Sequence, residues 1–128
     1  MSYQNIFHRK KRTRKVRSYG ELEISNYLNI NNIQFIKEYT FDKCRSLKNN
    51  LLRFDFYLID YNVLIEFQGQ HHYFPINKNP KSKFVHNKTK INDKIKLNFC
   101  NYYKLPLITI PYYQKNKIGI ILDEFLKT

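Results

Sequence analysis

Tryptophan is absent from this 128-residue chain, methionine occurs once, and there are only two cysteines, three glycines and four prolines. Cys44 and Cys100 stand far apart, and neither belongs to a CxxC or Cys/His cluster. That speaks against a zinc ribbon, and two lone thiols fit a reducing compartment. No internal repeat, low-complexity linker or second domain boundary interrupts the chain. Nothing approaches the run of roughly 18 apolar residues that a membrane helix needs. The first 20 residues are basic and lack the apolar stretch of a secretory signal. The expectation is a soluble protein of the cytoplasm or nucleus that is neither secreted nor held in a membrane. Acids are scarce as well: 10 Asp plus Glu stand against 23 Lys plus Arg, a formal charge of +13.

What is present fits one domain. A chain of this length buries roughly two thirds of the surface that its unfolded form exposes, so a real core needs no disulfide or structural metal. The 42% hydrophobic content agrees. Lys, Asn, Ile and Tyr are all abundant, as an AT-rich gene would make them, but coding bias does not explain where the lysines fall. Residues 9–17 read RKKRTRKVR and carry seven cations, namely Arg9, Lys10, Lys11, Arg12, Arg14, Lys15 and Arg17, with no acid among them. Such a run should be disordered in isolation and suits a phosphate backbone; it matches a nuclear-import cluster equally well. Residues 1–17 thus read as a basic arm and 18–128 as a single domain. Net charge this high points to a polyanionic partner, either nucleic acid or an anionic membrane surface.

Along the domain, Ser18 with Glu21 three residues later has capping-box spacing and opens a helix with Leu22, Ile24, Tyr27 and Leu28 on its apolar side. Asn31 and Asn32 end it. Ile33 to Phe41 reads as a strand, 43–50 as a loop, and Leu51–Ile59 and Asn62–Gln68 as two strands joined by a short turn at Asp60 and Tyr61. A polar, Lys-rich stretch follows to about Thr89. A helix is expected from about Lys90 to Tyr103, then a buried strand Leu105 to Pro111 and a last helix Ile118 to Leu126. The order is α-β-β-β-α-β-α, an α/β layered domain.

The chemistry falls on the central hairpin. Period-two alternation sets Phe54, Phe56 and Leu58 against Arg53, Asp55 and Tyr57, and Val63, Ile65 and Phe67 against Leu64, Glu66 and Gln68. With a two-residue turn, Ile59 pairs with Asn62 and Asp55 falls opposite Glu66, their Cβ atoms about 4.5 to 5.5 Å apart. Like charges so placed repel unless a proton or a cation lies between them, and hard oxygen donors suit Mg2+ or Mn2+. Two ordinary surface acids are the plainer alternative; the scarcity of acids and the apolar run around them count against it. His71 and His72 follow at the mouth of the same site, where a histidine would act as general acid or base or contact a phosphate, or merely fix the loop. Tyr73, Phe74, Tyr112 and Tyr113 flank the cleft, where they either stack on bases or, as the favoured reading, line the core.

These features together resemble the PD-(D/E)XK nuclease superfamily, in particular its small branch near very-short-patch-repair and phage homing endonucleases. The likeness rests on an acid in the first helix, Asp55 on the second strand, the IEFQGQHHY block, DKIK on the later helix and the strand LPLITIPY; it spans Gly20 to about Tyr113. It implies a restriction-endonuclease-like core, a central mixed four-stranded sheet flanked by helices. It further implies that Asp55, Glu66 and the main-chain carbonyl of Phe67 hold a Mg2+ or Mn2+ ion. Gln68 takes the place of the usual lysine and would orient water or phosphate. Glu21 corresponds to the first-helix acid that holds a second metal or a water. His72 stands in the family's HY pair, and Asp93 and Lys96 match its D-x-x-K, with Lys94 or Lys96 supplying the charge that Gln68 lacks. Phe54 stands where the superfamily name has Pro, and Thr109 where relatives often have Arg.

The resulting expectation is a metal-dependent endonuclease acting on double-stranded DNA as a monomer or homodimer, with Arg53 and Lys94 joining the arm in holding the strand. The main alternative is a nucleic-acid-binding module that keeps the fold without activity. A nuclear or virion structural protein using the arm as an address is a weaker third. With 128 residues there is little room for a separate recognition domain, so sequence preference would come from loops, the arm or a partner.

Overall fold

The computed structural model describes residues 8–10 and 18–127. Helix α1 spans Tyr19–Ile30, and Ser18 caps it, its Oγ accepting the Glu21 N–H at 3.0 Å. The cap supplies one of the first-turn N–H groups with a partner that the helix itself cannot provide. Asn31 ends the helix, and Asn32 turns into left-handed backbone at φ 56. The buried residues are Gly20, Ile24 and Leu28; Leu22, expected on the apolar side, is exposed.

Strands β2 (Phe35–Arg45), β3 (Leu51–Leu58) and β4 (Val63–Gln68) form an antiparallel meander, and β5 (Leu107–Pro111) adds to β4 in parallel. These four make a mixed sheet flanked by helices. A short strand β1 (His8–Lys10) pairs with β2 and extends the order to β1-β2-β3-β4-β5. Part of the basic segment, expected to be disordered in isolation, therefore carries sheet hydrogen bonds. The remaining arm cations, Lys11, Arg12, Arg14, Lys15 and Arg17, lie outside the described residues.

Helix α2 runs over Pro80–Tyr103, ten residues earlier than the periodicity indicates. Asn79 caps it by accepting the Ser82 N–H at 2.8 Å, and Pro80 occupies the first turn, where its missing N–H costs nothing. The early turns went unrecognised because they carry no apolar stripe: only Phe99 and Cys100 of this helix are fully buried. Helix α3 (Ile118–Leu126) follows a short 3-10 segment at Tyr112–Lys117, kinked at Gln114, and buries Ile118, Leu122 and Leu126, one per helical turn.

Both sheet faces are covered. On one, Tyr39, Phe41, Phe54, Tyr57 and Leu64 pack under Phe99, Cys100 and Leu105. On the other, Phe56, Leu58, Ile65, Ile108 and Ile110 pack against Ile24 and Leu28 of α1 and Leu122 and Leu126 of α3. Cys44 and Cys100 are free, buried thiols, and burial pushes each up to about 12.

The alternation expected for β3 breaks. Phe54 and Tyr57 share a face although three residues apart, while Phe56 and Leu58 take the other. The partner strand slips in step, with Ile36 and Tyr39 on one side. Pairing is regular on both sides of the slip, Lys37 with Phe56 and Tyr39 with Phe54. Between them Glu38 has φ 55, an unusual left-handed conformation for a residue with a side chain. One residue in each strand, Glu38 and Asp55, is thereby taken out of the pleat without a change of register; the register shift of this strand pair lies farther on, between Thr40 and Arg45.

Gly20 marks the closest approach of α1 to the sheet. A Cβ there would lie 2.3 Å from the Phe67 ring. Gly20→Ala is therefore expected to cost about 1–3 kcal/mol by overpacking, read as a lowered urea midpoint.

Candidate active site

The β3–β4 hairpin has the register expected from the sequence: Phe56 opposite Ile65, Tyr57 opposite Leu64 and Leu58 opposite Val63. The turn is longer than two residues. It occupies 59–62 and closes through the Asn62 N–H on the Leu58 carbonyl at 2.8 Å, with Asn62 in left-handed backbone at φ 56. Asparagine tolerates that conformation better than most residues. Its Oδ1 also accepts the Tyr57 hydroxyl at 2.7 Å.

Next along this register come Asp55 and Glu66, and here side chains take over from the ladder. The Asp55 N–H is donated to Glu66 Oε2 at 3.0 Å, and the Phe67 N–H to Asp55 Oδ2 at 2.8 Å. Each carboxylate holds a main-chain N–H at the opening between the strands, which fixes the two acids relative to one another. Lys96 arrives from α2 and donates to Glu66 Oε1 at 2.8 Å. This pair is shielded, with 13% of the lysine and 5% of the glutamate side chain exposed. Lys96 Nζ also sits 5.4 Å from the centroid of the Phe54 ring.

The electrostatics follow from this crowding. Burial, and then the Glu66 carboxylate, push the Asp55 carboxyl well above the usual carboxylate range; the Phe67 N–H and Lys96 pull against the rise, and Glu21 adds to it. Burial works to lower the Lys96 ammonium, but the carboxylates around it, Glu66 first and then Asp55 and Asp93, together hold it above its ordinary value.

These groups open onto a cleft of about 300 Å3 whose wall includes Glu38, Arg53, Asp55, His72, Asp93 and Lys96. His72 Nδ1 lies 2.8 Å from Asp93 Oδ2, with 14% and 24% of the two side chains exposed. With the carboxylate on Nδ1, the other ring nitrogen is the one placed to exchange a proton. Asp93 and Lys96, one helical turn apart, share the cleft as their spacing implies. Lys94 is exposed on α2 away from it, so Lys96 is the cation of the site. Gln68 accepts the Tyr73 hydroxyl at 2.9 Å and does not line the cleft. Glu21 acts on Asp55 from the first turn of α1. Arg53 Nη1 is 3.4 Å from Glu38 Oε1. The side chain of His71 lies outside the described residues. Arg9 and Lys10 are placed by backbone only, on the edge strand β1.

Glu38 is the member of the wall that sequence reading passed over. One signal was available: an acid in the middle of the strand IKEYTF, in a chain that has few acids. The four aromatics near the cleft do not line the core as expected. Tyr73, Phe74 and Tyr113 are exposed and cluster with Tyr112 at centroid distances of 5.5 to 6.4 Å.

Among the described residues no three His, Cys, Asp or Glu side chains surround a common metal position. Two fixed carboxylates remain, with the Phe67 carbonyl on the same strand. That donor set fits a Mg2+-type ion, which takes one or two carboxylates and keeps several waters.

No family model matches the chain, and neither a curated protein nor a solved structure is found to match it. No helix among the described residues is long and apolar enough to cross a membrane.

Proposed function

We propose that the protein is a metal-dependent endonuclease that hydrolyses phosphodiester bonds, most readily in double-stranded DNA, on a restriction-endonuclease-like core. The observation that carries this reading is the meeting, in one cleft, of Asp55, Lys96 and the His72–Asp93 pair, with Glu66 buried behind Lys96, inside a chain of charge +13. A Mg2+ or Mn2+ ion held by Asp55, Glu66 and the Phe67 carbonyl would neutralise charge on the scissile phosphate and make a water more acidic. Lys96 would stabilise the negative charge that builds on the phosphoryl oxygens as water attacks phosphorus and the bond to the leaving oxygen breaks. His72, oriented by Asp93, would take the proton of the attacking water or give one to the leaving oxygen. Arg53, at the mouth, and the cations of 9–17 would hold the phosphate backbone. Gln68, tied to Tyr73, would keep the end of β4 in place.

A binding module without activity is the second reading. The carboxylates count against it, because acids at the floor of a cleft repel the phosphate that such a module must hold. Supercoiled plasmid incubated with the protein and Mg2+ or Mn2+ separates the two. Nicked or linear product that EDTA suppresses is the expected result; plasmid that is bound but uncut under both ions would move the assignment to the binding module.

A further inference from the structure

Helix α2 runs past the core it packs on. Ile95 and Phe99 lie against the sheet, whereas Ile91 and Phe84, on the same side of the helix by their spacing, are exposed. Between them and the loop 46–50 lies a groove of about 240 Å3, lined by Leu47, Phe84, Ile91, Lys48 and Lys88 and by no acid. Leu47 is 80% and Phe84 64% exposed. Apolar surface gathered in this way marks a contact site.

Helix α3 carries the complementary chemistry in the opposite layer. Beside its buried stripe, Ile120, Ile121, Glu124 and Phe125 share a second side of the helix at i, i+1, i+4 and i+5. Ile120 and Phe125 are 62% and 60% exposed. Asp123 turns elsewhere, accepting the Tyr27 hydroxyl of α1 and pairing with Lys127 at 3.3 Å. Among the described residues Lys48, Lys88 and Glu124 make no ion pair. The charge is divided across the sheet as well: α1 and α3 hold Glu21, Glu23, Asp123 and Glu124 without a Lys or Arg, while α2 has Asp93 as its one acid among lysines.

We infer that α3 of one copy docks in the α2 groove of the next, Ile120 and Phe125 on Leu47, Phe84 and Ile91, and Glu124 beside Lys88. An amphipathic helix laid in an apolar groove is a recurrent mode of recognition. The groove and α3 lie on opposite sides of the sheet, so the contact is head to tail and extends past a dimer. Other occupants fit less well. The lysines repel the basic arm, Leu47 and Ile91 offer bases no ring to stack on, and the volume is below the roughly 300–1,000 Å3 of small-ligand pockets. At about 0.15 M salt the Debye length is about 8 Å, which screens the repulsion between whole copies and spares the contact itself. Asn92 lines both this groove and the cleft, so a docked copy sits next to the cleft. The inference does not depend on the proposed activity.

The test is sedimentation velocity of the full chain, without nucleic acid, from micromolar to submillimolar concentration. The wild type should grow past a dimer as concentration rises. Phe84→Asp and Phe125→Asp should each stay monomeric with unchanged circular dichroism. Their equimolar mixture should form a dimer and nothing larger, because one intact groove and one intact α3 are left to meet. Lys88→Glu and Glu124→Lys should each weaken assembly about two- to fivefold, and the double variant should recover it. A wild type that stays monomeric or stops at a dimer would overturn the inference, as would Asp variants that still assemble or a mixture that stays monomeric. If the Asp variants lose their circular dichroism, the charge pair decides, and a double variant without recovery overturns it. A monomeric wild type whose binding to a labelled duplex weakens in Phe84→Ala would give the groove to nucleic acid instead.

Discussion

Replacing Asp55 with asparagine is expected to remove metal-dependent cleavage and, at the same time, to raise the melting temperature of the metal-free protein. The two effects have one origin. The Asp55 carboxyl is buried beside Glu66 and titrates well above the ordinary carboxylate range. A carboxyl whose folded value is raised leaves the folded chain binding more protons than the unfolded one. Its contribution to stability is therefore present below the unfolded value and lost as pH rises toward the folded value. Asparagine keeps an oxygen for the Phe67 N–H and carries no charge, so it avoids that loss. In EDTA the variant should gain on the wild type as pH rises above the ordinary carboxylate range, read as a melting-temperature difference that widens with pH. Mg2+ should raise the melting temperature of the wild type by mass action and leave Asp55→Asn where it was. Nicking should fall by more than the roughly 10–100-fold that loss of an outer-sphere metal partner costs. Equal melting shifts with Mg2+ in both proteins would place the ion elsewhere.

Lys96→Met is expected to be the most destabilising single change in the site. Its ammonium bonds Glu66 where both side chains are almost fully shielded. Removing it would strand a buried carboxylate with Asp55 as its neighbour. Breaking one side of such a pair costs about 3–5 kcal/mol. A domain has only about 5–15 kcal/mol in total, so the urea midpoint should fall steeply. Adding Glu66→Gln should recover most of the loss, since the neutral amide no longer needs the cation; two independent losses that simply add would show that the pair is not coupled. Lys94→Met, on the exposed face, should change stability by less than about 0.5 kcal/mol.

The parts of the molecule that were legible in advance are those where a local rule decides. Ser18 and Glu21 announce a helix start, and Ile118, Leu122 and Leu126 mark a helical stripe that α3 buries. The pairing of Asp55 with Glu66 followed from counting across a short turn, and the longer turn left that count unchanged because it adds one residue on each side of the same centre, Asp60 and Tyr61. The parts that were not legible depend on what packs from afar. The first ten residues of α2 have no apolar period to betray them, and they are set by the Asn79 cap and Pro80. Between Lys94 and Lys96, two positions apart in a charged run, only the docking of α2 on the sheet decides which reaches Glu66. Period-two alternation assumed one open face, whereas this sheet is covered on both, so apolar residues of either parity are buried and the slip at Glu38 and Asp55 leaves no trace in the hydrophobic pattern.

That slip has a consequence for how the protein can change. Side chains on a strand behave like a wave of fixed period, and Glu38 and Asp55 are the points where two neighbouring waves shift phase together. A deletion of either residue alone would shift one wave and not the other, setting Ile36 or Tyr57 against the wrong layer. Deleting both would restore an even wave and carry away the carboxylate that faces Glu66. The acid of the cleft and the correct facing of the hydrophobic layers are thus written at the same two positions. Length changes in β2 and β3 should accordingly be tolerated at the loop 46–50 and not across the slip.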